Sequence, residues 1–198
     1  GTLYTYPTTA DKKSSVNTVA KITIENGKAT VGSKVSASSV SGKVSYSDMT
    51  IGSAKVSENV SILDVAQDIH SNVPMYVKTY MQRLDGITLD TGDVLYAKKN
   101  GNGEISELIL KNATGDMYSY GIVTSVTNGV GETQSSAVID SDGSQYTVYG
   151  LSGMSVGLPV RFIKNGSGVD YAAKLNILSG SVSEFTHGYA TINGKRHL

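Results

Sequence analysis

Cysteine and tryptophan are missing from the 198 residues, which also hold only three prolines, two phenylalanines and three histidines. Without cysteine there are no disulfides, no thiolate zinc sites and no cysteine nucleophile. No sign of charge is in excess: 17 basic residues balance 17 acidic ones. A formal charge of zero leaves no basic footprint for nucleic acid and no basic run for an anionic membrane. No apolar run reaches the length of a membrane span, and no signal peptide is seen. Gly1 reads as an artificial start, compatible with an export signal cut away upstream. A phosphate loop is also lacking, because Gly101 and Gly103 join two strands and no helix follows.

What is present is glycine, serine, threonine and tyrosine, a composition that favours many short strands joined by turns. The segment 92–123 reads as strand, Gly-rich turn, strand, loop and the start of a third strand. A degraded copy begins about 65 residues later, a period suited to a small β domain repeated in tandem. Residues 93–103 (DVLYAKKNGNG) stand against 158–168 (LPVRFIKNGSG), and Leu108 and Leu110 match Ala173 and Leu175. A four-residue loop at 100–103 sets Lys99 opposite Glu104, Ala97 opposite Ser106 and Leu95 opposite Leu108. The same loop at 165–168 sets Phe162 opposite Tyr171 and Val160 opposite Ala173. Val160, Phe162, Tyr171, Ala173, Leu175 and Ile177 then share a buried face, with Arg161, Lys164, Lys174 and Asn176 on the wet one.

Asn26-Gly27 is a two-residue turn that places Glu25 opposite Lys28, Ile24 opposite Ala29, Thr23 opposite Thr30 and Ile22 opposite Val31. Strands are also expected over 43–51 and 54–63 across Gly52-Ser53, over 75–81 and 121–127, and over 136–140 and 144–149 across residues 141–143. Leu63, Ala66, Gln67 and His70 fit a short helical turn, and Tyr80, Met81 and Leu84 fit one helical face. Residues 189–195 resemble 22–28 and read as a further hairpin, as in a fragment of a longer repeat array. The expected fold is all-β: two tandem small antiparallel β-barrels, OB- or SH3-like, with at most one or two short helical turns. The expected divisions are 1–17 (linker or edge extension), 18–118 (first barrel module), 119–185 (second barrel module) and 186–198 (further hairpin or edge strand).

The motifs Gly92-Asp93-Val94-Leu95-Tyr96, Gly101 to Gly103, Glu107-Leu108-Ile109-Leu110, Thr114-Gly115-Asp116 and Tyr120-Gly121-Ile122-Val123 carry a resemblance. About a third of the chain resembles the repeated β modules of large surface-layer proteins of Gram-positive bacteria, which also carry surface-layer homology domains. The lack of cysteine fits export from such cells, although a cytosolic protein can also lack it. The resemblance implies a non-enzymatic structural or spacer module of a secreted, cell-wall-associated protein. Its partners would be other modules of the same longer chain, wall glycan or further copies of itself, with no nucleic acid, no membrane span and no cofactor.

Chemistry-bearing residues are sparse. His70 and His187 lack partners at ligand spacing, and His197 lies beside the terminus, where disorder is expected. A serine triad is not excluded by composition, but the expected fold rarely supports its nucleophile turn. Asp140-Ser141-Asp142-Gly143 opens like a calcium loop, yet Leu151 stands where the twelfth-position glutamate belongs, and a plain turn explains it. Asp85, Asp90 and Asp93 are either turn caps or a set that meets at the mouth of the first barrel; no metal is assigned. Tyr118, Tyr120, Tyr146, Tyr149 and Tyr171 are the candidate ligand-binding residues, as stacking surfaces for a carbohydrate or wall polymer. Half-buried tyrosine is equally ordinary in strands. A Lys–Asn crosslink would need a buried lysine, asparagine and acid together.

Overall fold

The computed structural model describes residue 7 and residues 19–35, 38–66, 76–130, 134–165, 168–186 and 188–198. Among the described residues the fold is all-β, apart from the four-residue helix α1 (Met81–Leu84) and a 3₁₀ turn at Thr91–Asp93. Contacts divide the described residues into two units: one takes those up to 66, 76–114 and 181–198, the other takes 115–180. Gln67, His70 and His187 lie outside the described residues; of the helical turn expected through His70, Leu63 belongs instead to the strand Ala54–Val65.

In the first unit, β1 (Ala20–Glu25) and β2 (Lys28–Lys34) pair in the register the sequence predicts, with Glu25 opposite Lys28 and Ile22 opposite Val31. Asn26 and Gly27 both adopt positive φ, 50° and 72°, which the tight primed turn requires. The main sheet runs β7 (Thr88–Leu89), β3 (Gly42–Ser45), β4 (Thr50–Ile51), β5 (Ala54–Val65), β9 (Ile105–Lys111), β8 (Val94–Lys99). β6 (Tyr76–Thr79) adds to β5 beyond the end of β4. The predicted strand over 43–51 is broken by a turn at residues 46–49, and the predicted strand over 75–81 gives way to α1. The core holds Val44, Ile51, Ile62, Leu84, Ile105 and Leu108 among others. Each such side chain contributes about 1.5–3 kcal/mol relative to exposure.

Two features depart from the antiparallel expectation. β5 and β9 are parallel, with Ser61 to Val65 alongside Glu107 to Lys111. The β8–β9 register also differs: Lys98 faces Glu107, Ala97 faces Leu108 and Lys99 faces Ile105. Ser106 is therefore an extra residue on β9, a bulge. Its effect is visible in burial: Ile105, Leu108 and Leu110 all point inward, although strict alternation would put Ile105 on the other face. Asn100 closes the loop, its Oδ1 accepting from Asn102 N at 2.9 Å and Glu104 N at 3.0 Å.

The second unit is a five-stranded sheet in the order β12 (Ser144–Tyr149), β11 (Ser136–Ser141), β10 (Ser119–Thr127), β13 (Pro159–Asn165), β14 (Gly168–Lys174). It curls until its edge strands β12 and β14 approach each other, without a hydrogen-bonded ladder between them among the described residues. Of the expected pair of closed barrels, this half-barrel and several separate sheets are what is seen. Asn165 pairs with Gly168, so the expected four-residue loop is two residues long, and Phe162 faces Ala172 rather than Tyr171. The bulge at Asp170 produces that shift, and it places a small side chain opposite the fully buried Phe162.

β15 (Val182–Phe185), β16 (Ala190–Ile192) and β17 (Lys195–His197) form a three-stranded sheet in the first unit. Asn193 and Gly194 make its second turn with φ of 51° and 76°. His197 is thus a half-buried strand residue opposite Ala190, contrary to the expected disorder.

Candidate functional site

The five candidate tyrosines all belong to the second unit but take different roles there. Tyr118 is buried, with the Arg161 guanidinium 4.6 Å above its ring. Tyr146 is half-buried against the core, 5.2 Å from the Phe162 ring, with Lys164 Nζ 4.6 Å away on its face. A hydrogen bond from Lys164 lowers the Tyr146 phenol below its ordinary value of 10.0. Tyr171 is half-buried opposite Ile163. Tyr120 and Tyr149 are exposed, and the Tyr120 hydroxyl donates to Gly115 O at 2.9 Å. Tyr149 lies in the row of Ser136 and Thr127, seven residues along β10 from Tyr120. At about 3.3 Å per residue, and with one residue taken up by the β10 bulge, their backbone positions are roughly 20 Å apart along the strand direction. The five therefore do not share one platform.

The carboxylates act as architecture. Asp64 is fully buried in β5 and accepts from Ala113 N (2.9 Å), Thr114 N (2.7 Å) and Thr114 Oγ1 (2.7 Å). It satisfies the backbone just past β9, so the parallel pair ends without orphaned donors. Asp90 and Asp93 cap the 3₁₀ turn reciprocally, with Asp90 N donating to Asp93 Oδ2 at 2.8 Å. Asp85 receives Tyr46 N at 2.9 Å and lies 3.7 Å from Arg196. Asp142 and Gly143 form a two-residue hairpin turn between β11 and β12, with φ of 52° and 75°. Among the described residues no three His, Asp or Glu side chains group as metal ligands.

Two features escaped the sequence reading. Gly153-Met154-Ser155-Val156-Gly157 spells the nucleophile-elbow pattern. It lies in the connection from β12 to β13, a strand rather than the helix that an elbow requires, and Leu158 N donates to Ser155 O at 3.2 Å. The other is a cluster around Arg196. Its guanidinium stacks on Tyr189 at 3.8 Å and donates to Asp85 O at 2.7 Å. The Tyr189 hydroxyl donates to Glu184 at 2.7 Å, and that bond raises its pKa above 10.0.

A third arrangement is a groove in the first unit, with a cavity volume of about 540 Å³. Tyr46 and Tyr80 line it and are 43% and 59% exposed. Met49, Val60 and Met81 supply apolar lining; Ser47, Glu58 and Gln82 supply polar groups. Tyr46 sits in the β3–β4 turn, which Ser45 Oγ closes by donating to Asp48 Oδ2 at 2.7 Å. Its hydroxyl accepts from Gln82 Nε2 at 2.8 Å. Tyr80 precedes α1 in extended conformation. No family model, no curated protein and no solved structure matches the chain.

Proposed function

We propose that the chain is a non-enzymatic structural or spacer module of a secreted, cell-wall-associated bacterial surface protein of the surface-layer kind. One observation carries this reading. Asp64, whose carboxylate is fully buried, is engaged by three donors that fasten the end of a parallel strand pair. That carboxylate is committed to holding backbone in place. The turn-capping pair Asp90 and Asp93 adds to that support. In the same reading the repeated segments 93–103 and 158–168 descend from one small barrel-like module. Partners are neighbouring modules of a longer chain, or further copies in an assembled layer.

The test is localisation. Antibodies raised against this chain are applied to intact cells of the source organism, before and after a chaotropic wash that strips non-covalent surface layers. The expected outcome is labelling of intact cells and recovery of the antigen in the wash. Labelling only after lysis overturns the proposal.

A further inference from the structure

We infer that the groove between Tyr46 and Tyr80 is a binding site for an uncharged oligosaccharide. The site is independent of the scaffold role and lies on the first unit, whereas the tyrosines singled out in the sequence belong to the second. Its size falls in the range of small-molecule sites, about 300–1,000 Å³. Its two exposed phenol rings and the apolar groups of Met49, Val60 and Met81 offer surfaces for the C–H faces of pyranose rings. The Gln82 amide both donates and accepts, the Glu58 carboxylate accepts, and the Ser47 hydroxyl does either. A polyol presents the same mixture of donors and acceptors.

Charge selects among occupants. Among the described residues lining the groove none is Lys, Arg or His, and Glu58 adds a negative charge. Nucleic acid and anionic wall polymers find no counter-charge there. An extended proline-rich peptide also docks on aromatic grooves, but it presents few groups to meet an amide, a carboxylate and a hydroxyl at once. The site is also ordered before any ligand arrives. Tyr46 is fixed at its backbone by Asp85 and at its hydroxyl by Gln82, so less freedom is lost on binding.

The experiment is an amide-shift titration of the full chain with three probes: the hexasaccharides of β-1,4-linked glucose, β-1,4-linked N-acetylglucosamine and β-1,4-linked mannose. A decaproline peptide is the fourth arm. At least one saccharide is expected to shift the signals of Ser47, Glu58 and Gln82 saturably. Tyr80→Ala is expected to weaken that binding by about tenfold, the scale of one lost aromatic stack. Tyr46→Phe keeps the ring and loses only the bond from Gln82, so its loss is expected to be smaller. Phe185→Ala, an exposed aromatic outside the groove, is expected to leave binding unchanged. The inference is overturned if no saccharide shifts these signals, or if decaproline is the probe that does. It is equally overturned if binding persists in a Tyr46→Ala/Tyr80→Ala chain whose circular dichroism and Tm match the parent.

Discussion

Asp64 shows how much one side chain can hold. Its removal takes one acceptor from the part-buried Ala113 N–H, from the buried Thr114 N–H and from the Thr114 hydroxyl. Each buried orphan costs about 1–3 kcal/mol. Asp64→Ala is therefore expected to destabilise the first unit by about 3–5 kcal/mol in chemical denaturation, and Asp64→Asn, which keeps one acceptor oxygen, by less. In the sequence this residue lay one position past the expected strand 54–63, beside the helical turn expected from Leu63, and no role was read for it. A signal was present, since Asp64 is in phase with Ile62 and Ala66, both buried. The tyrosines give a second residue-scale test. Tyr189 has its pKa raised by Glu184, so what this contributes to stability is present below the ordinary value of 10.0 and lost as pH rises through the raised one. Tyr146 has its pKa lowered by Lys164, so its contribution is present above 10.0 and lost as pH falls through the lowered value. Phenolate absorbance checks this: Tyr146→Phe should remove an ionisation from below 10.0, and Tyr189→Phe one from above it.

At the scale of elements, what was legible was local. Asn26-Gly27 specifies its turn type, and with it every pair of the β1–β2 register. The β11–β12 hairpin was legible in the same way, apart from the length of its turn. The β8–β9 and β13–β14 registers were misread because each contains a bulge, and a bulge answers to packing from outside the hairpin. Ile105 reaches the core only because Ser106 is extra; Phe162 clears its neighbour only because Ala172 replaces Tyr171 opposite it. The β5–β9 pairing was illegible for a related reason: parallel partners 46 residues apart share no turn. The candidate site was less legible still, since Tyr46 comes from the β3–β4 turn, Glu58 from β5 and Tyr80 from just past β6, and the β5–β6 pairing that joins them was not foreseen. Glycine inside a strand offers a test at this scale. A Cβ at Gly121 in β10 would collide with Asp140 O and stand 2.6 Å from Ile139 Cγ2. Gly121→Ala is expected to cost about 1–3 kcal/mol by overpacking, read as a lower denaturation midpoint at unchanged slope.

Considered whole, the molecule is two units of unlike continuity. The second is built from one run of chain, 115–180, plus nothing else among the described residues. The first gathers described residues from both sides of that run. Its late-arriving sheet is fastened by two guanidinium groups: Arg196 bonds Asp85 O and stacks on Tyr189, and Arg83 donates to Gly188 O at 2.7 Å. Arg196→Ala also exposes space above Gly86, where the guanidinium now lies. It is expected to reduce hydrogen-exchange protection in β16 and β17 by about 1–3 kcal/mol, with protection in β10 to β14 unchanged.

The 111-position separation of Asp85 and Arg196 also sets a timetable. A ribosome adding about 5–20 residues per second makes the aspartate wait roughly 6–22 s for its arginine. The run from 115 to 180 is finished within that interval, so a stalled or prematurely released nascent chain would carry a complete half-barrel on an unfinished host.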